Sequence, residues 1–137
     1  MIPAEDLLTR ISGSLRHVIG PAVGDDYPRT QACMASMILE KTVRQVQLAA
    51  AHAAADEADI AALVRDLGAL LGEGSPMMVT QAVDGVAGER DNRALTALVD
   101  ALYGARDGLG DDVFTAALGR VRTTLRAQLD RRCEVAR

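Results

Sequence analysis

Residues 29–52 read "RTQACMASMILEKTVRQVQLAAAH", 24 positions without a glycine or a proline. Alanine, leucine and methionine are strong helix formers, and nothing in the run breaks a helix. Wound at about 100° per residue, Ala35, Leu39, Val43, Val46, Ala50 and Ala53 fall in one stripe, with Ser36, Glu40, Arg44 and Gln47 roughly opposite. Met34, Met37 and Ile38 lie outside that stripe. The first half of this helix is therefore expected to be covered on more than one side, at the centre of the fold.

Upstream, Leu7, Leu8, Ile11, Leu15, Val18 and Ile19 recur at three- and four-residue spacing, with Glu5 and Asp6 in the first turn and Gly20-Pro21 as a stop. Gly13 costs about 1 kcal/mol relative to alanine in a helix interior, so close packing or a bend is expected there. Asp26 is placed to cap the next helix, and Pro28 stands in its first turn, where no amide hydrogen is needed. That helix is expected to run to about Ala55.

"DEAD" at 56–59 is not read as a helicase string, because the chain has no phosphate-cradling G-x-x-x-x-G-K-[ST] loop. Asp56 is instead expected to cap a third helix, with Asp59 at the positive end of its dipole. Ile60, Leu63, Val64, Leu67, Leu70 and Leu71 form its apolar face, and Gly72 ends it. Ser75 and Pro76 open a short helix through about Val83, followed by a loop, "DGVAGERDN". Leu95, Leu98, Val99, Leu102 and Tyr103 mark another helix, stopped by Gly104; Phe114, Leu118, Val121, Leu125 and Leu129 mark a long last one reaching past Cys133.

No strand-like alternation and no repeat is present. The expectation is an all-α, single-domain fold over 1–137: an antiparallel helical bundle of four main helices plus one or two short ones. If the last stripe is core, Leu125→Ala costs about 2 to 5 kcal/mol. His17 lies away from its helix's stripe, and His17→Ala should cost almost nothing.

The composition narrows the function classes. With 49% hydrophobic residues and 2% aromatic, the core must be aliphatic, with small residues allowing close approach. A net charge of −4 gives no general attraction to polyanions. Residues 113–137 are basic, with six arginines against Asp130 and Glu134, yet these arginines point in several directions and stacking aromatics are scarce. Nucleic acid is therefore not an expected partner. The start "MIPAEDLLTR" has acids where a secretory signal has bases, and no run of about 18 apolar residues exists, so neither export nor a membrane span is expected. The two cysteines, Cys33 and Cys133, make no disulfide framework and are expected to be reduced in the cytoplasm.

Few residues suggest chemistry. His52 and Asp56 are one turn apart, but two ligands do not make a metal site, so no metal and no cofactor is expected. Cys33 has no base beside it in sequence, and no serine sits in a nucleophile elbow, so no catalytic residue is assigned. Glu40 and Arg44, four apart, form either an ordinary intrahelical ion pair or, if buried, a polar centre able to hold a small molecule, with Tyr27 near the pocket. Cys33, Met34, Met37 and Lys41 offer an adaptable surface for a partner helix, against the plainer reading of core methionines.

The order "AEDLLTRISGSLRHVIGPAV" then "YPRTQACMASMILEKTVRQVQLA" resembles an uncharacterised bacterial helical family encoded beside aminoglycoside-phosphotransferase-like kinases and acyl-CoA dehydrogenases. The likeness covers about the first 70 residues: an opening helix, a proline break, and a central alanine-containing helix with a late arginine, here Arg44. The loop after Pro21 and the end of the central helix depart from that pattern. The resemblance implies an accessory or small-molecule metabolic context and carries over no site residue. Two functions follow as expectations. The first is a non-catalytic interaction or accessory protein, a homodimer or a partner's subunit, using part of the 29–52 helix. The alternative is a small-molecule-binding bundle or small enzyme centred on Glu40 and Arg44.

Overall fold

A computed structural model describes residues 1–136, with side chains through Val135; Arg137, the last of the six arginines, lies outside the described residues. Helix α1 (Ala4–Ser14) passes through a π-helical turn (Leu15–Ile19) into a single turn, α2 (Gly20–Ala22). Then follow α3 (Asp26–Leu71), α4 (Met77–Glu89), α5 (Asn92–Gly104), the short α6 (Arg106–Leu109) and α7 (Asp111–Ala136). The described residues contain no strand, and the fold is all-α. The chain divides into two compact units, Met1–His52 with the end of α7 from Arg132, and Ala53–Arg131.

The second unit owns the hydrophobic core. Ile60, Leu63 and Leu67 of α3, Val79, Val83 and Val86 of α4, Leu95, Leu98 and Leu102 of α5, and Phe114, Leu118 and Val121 of α7 are all buried in one cluster. Each set follows three- and four-residue spacing, the period at which one helix face meets its neighbours.

Two element boundaries and one buried face differ from expectation. The helices expected on either side of Asp56 are one helix of 46 residues. The alanine-rich run through Ala55 offers no stop signal, and Asp56 spends its carboxylate on Arg131 rather than on a cap, Nε to Oδ1 2.8 Å. The loop expected after Val83 is helix as far as Glu89. Val79, Val83 and Val86 keep one face in the core, and that burial outweighs the helix cost of Gly85 and Gly88. Arg90 then closes α4 in the left-handed region, φ 54°, and Asp91 caps α5 by accepting from the Ala94 amide at 2.8 Å.

The third difference lies in α7. Phe114, Leu118 and Val121 are buried, but Leu125 and Leu129 remain 38% and 58% exposed while Thr124 and Gln128 are buried in their stead. Leu125 lies about 40° round from Val121 and Thr124 about 60° the other way, so the buried face of α7 drifts to the Thr124 and Gln128 side towards the helix end. Leu125→Ala is accordingly expected to cost under about 1 kcal/mol by urea denaturation, not the core penalty inferred from the leucine spacing. His17 is exposed as expected.

Candidate interaction surface

The first unit is built on a contact between small residues. Ser12 Oγ of α1 donates to the Ser36 carbonyl of α3 at 3.0 Å. A Cβ added at Gly20 would stand 3.0 Å from the Leu15 carbonyl oxygen and 4.0 Å from the Ala32 Cβ. As the number falls from Gly20 to Ser12 it rises from Ala32 to Ser36, so α1 and α3 run in opposite directions.

The π-turn follows from this register. Ser12 and Gly20 are eight residues apart, which in a regular α-helix sets them roughly 80° apart round the axis. The wider turn over Leu15–Ile19 absorbs that offset and returns Gly20 to the side facing Ala32. Close packing or a bend was expected at Gly13; an added Cβ there would meet nothing within 4 Å, the close packing occurs at Ser12 and Gly20, and the π-helical turn begins two residues on, at Leu15.

Ser36, placed opposite the apolar stripe by the helical period, is fully buried, and its Oγ has no hydrogen-bond partner among the described residues. A buried hydroxyl without a partner is destabilising, so Ser36→Ala is expected to raise stability by up to about 1 kcal/mol in the same urea measurement.

The ion pair between Arg16 and Glu40, 2.6 Å, identifies one flank of this helix pair. Arg16 follows Ser12 by four residues and Glu40 follows Ser36 by four, about 40° round from the contact line. Three residues on from a contact position the helix lies about 60° the other way, and there stand Leu15 after Ser12, Leu39 after Ser36 and Val46 after Val43. Ile11 and Ile19, directly before Ser12 and Gly20, share that second flank with Leu7. It is apolar throughout and largely uncovered: Leu7 is 51% exposed, Ile11 42%, Ile19 46% and Val46 43%, while Leu8, Leu15 and Leu39 are half-buried. Among the described residues, Val43 is the one large apolar side chain of this unit that is buried.

The multi-sided cover expected for the start of the central helix is therefore not supplied by the described residues. Met34, Met37 and Ile38 are each more than half exposed, as are Cys33 and Lys41 by class. Tyr27 is exposed at the start of α3 and precedes Glu40 by thirteen residues, roughly 20 Å along the axis, so the two do not share a pocket. Glu40 takes Arg16 as its ion-pair partner, and Arg44 is exposed. The sequence located none of the Leu7, Ile11 and Val46 surface, having assigned those side chains to the core. The available signal was the run of small residues Ser12, Gly13, Ser14 and Gly20, which marks a thin contact rather than a deep one.

On another side of α3, a groove of about 520 Å³ is lined by Ile38, Lys41, Thr42, Gln45, Ala49 and His52 together with Arg132 and Val135 of α7. His52 Nε2 lies 3.3 Å from Glu134 Oε2, and no group of three or more metal-ligating side chains occurs among the described residues.

In the second unit two arginines of α7 face acids of α3. Arg120 meets Asp66 at 3.3 Å, and Arg131 bonds both Asp56 and Asp59. The hydrogen bond to Asp59 raises the Arg131 pKa, partial burial opposes the rise, and Asp56 adds to it. These pairs account for Arg120 and Arg131 of the basic last helix. Among the described residues no helix is long and apolar enough to cross a membrane. No family model, curated protein or solved structure matches the chain.

Proposed function

We propose that this chain is a non-catalytic helical interaction protein, self-associating or serving as an accessory subunit, whose first unit docks on another helical surface. The carrying observation is the imbalance between the units: the second buries a continuous aliphatic core, while the first buries Val43 and leaves most of its other large apolar side chains half-exposed or more. Covering roughly 100 Å² of one half-exposed side chain contributes about 2.5 kcal/mol before entropic costs, and contiguous patches beyond a few hundred Å² mark interaction sites. Cys33, Met34 and Met37 are exposed on another side of α3, away from this face. Free, exposed thiols accord with a reducing cytoplasm.

A dye that fluoresces on apolar surface tests this reading. At nanomolar protein, where complexes dissociate, the chain is expected to bind the dye, and Ile11→Ser with Val46→Ser to remove most of the signal. Absence of binding by the unaltered chain contradicts it.

The α3–α7 groove favours a second reading. Cationic Lys41 and Arg132 beside Ile38, Ala49 and Val135 suit a small amphipathic anion. Titration with decanoate should shift the amide resonances of Ala49 and Arg132 in particular; unchanged spectra at millimolar ligand contradict it.

A further inference from the structure

We infer that the occupant of the apolar α1–α3 flank is the same flank of a second copy of this chain, so that two helix pairs close into a four-helix interface about a twofold axis. The inference rests on the interaction reading above and names the partner.

Three properties of the surface select a second copy. First, the flank carries no charged residue: between Leu7 and Ile19 the positions on it are aliphatic, and on α3 Ala35, Leu39 and Val46 continue it. A polyanion, or a basic or acidic peptide, finds nothing there to pair with, and a partner must itself be uncharged and apolar. The flank itself meets that requirement, and in a twofold contact one patch serves both sides.

Second, the charge balance permits it. Residues 1–52 carry five acidic and five basic side chains and residues 132–137 add Arg132, Glu134 and Arg137, so two first units, each about +1, approach with little net repulsion. Residues 53–131 carry thirteen acidic and eight basic side chains, and like charge disfavours pairing of two second units.

Third, the area suffices. Leu7, Ile11, Ile19 and Val46, each roughly half exposed, with half-buried Leu8, Leu15 and Leu39 offer on the order of 500 Å² per copy. Two copies then remove on the order of 1,000 Å², the threshold for a specific interface and the size of the weaker ones, in keeping with a dimer at tens of micromolar.

Sedimentation and size-exclusion with light scattering test this on the full chain, together with Ile11→Glu on the flank and Met37→Glu off it. The expected result is twice the chain mass of 14.5 kDa at tens of micromolar. Ile11→Glu should weaken the dimer at least tenfold with circular dichroism unchanged, and Met37→Glu should leave it intact. If Ile11→Glu proves unfolded, Val46→Glu replaces it on the same flank. A monomer up to about 100 µM overturns the inference, and so does a dimer that survives the flank variants. Dye binding separates the two failures: a monomer that binds dye loses the second copy but keeps the docking unit, whereas a monomer that binds none loses both.

Discussion

Leu98→Ala is expected to destabilise the protein by about 2 to 5 kcal/mol, the range for removing a leucine side chain from a packed interior. Leu98 has no solvent exposure and lies in the cluster formed by α3, α4, α5 and α7 of the second unit. Its neighbours on the same face, Leu95 and Leu102, are equally enclosed, so the surroundings cannot collapse cheaply into the vacated space. Urea denaturation followed by circular dichroism measures the change, and Leu125→Ala is the internal comparison. A loss for Leu98 no larger than that for Leu125 contradicts the placement of the core.

Arg131→Ala is expected to cost about 1 to 2 kcal/mol. The guanidinium holds two carboxylates of neighbouring turns, Asp56 and Asp59, and its removal leaves them facing one another without a cation. Both acids are about one-third exposed, so water screens part of the penalty and keeps it below that of a buried pair. Added salt should narrow the difference between the variant and the parent chain. The sign with pH follows from the raised arginine pKa: its stabilising share is complete below the ordinary arginine pKa and is lost only in strong alkali. A variant as stable as the parent at low salt would falsify this role.

Much of the second unit was legible in the sequence because its apolar residues meet one another. Ile60, Leu63 and Leu67, or Leu95, Leu98 and Leu102, are buried where the helical period placed them. The first unit was less legible for a physical reason: periodicity shows that a helix has an apolar face, and does not show whether the same chain covers it. Leu7, Ile11 and Val46 follow the helical rule and still face solvent. The junction at Asp56 was misread because an acid before an apolar run serves equally as a cap or as an arginine's partner, and Arg131 is 75 positions away in sequence. Glu40 was matched with Arg44 by spacing along one helix, whereas Arg16 reaches it from another.

Residue-resolved hydrogen exchange across a dilution series tests the division between a closed core and an open helix pair most directly. At the lowest concentration the amides of α5 are expected to exchange slowest and those of α1 fastest, with protection between Ala35 and Val46 rising as the protein is concentrated. Protection of α1 equal to that of α5 at every dilution would contradict the account.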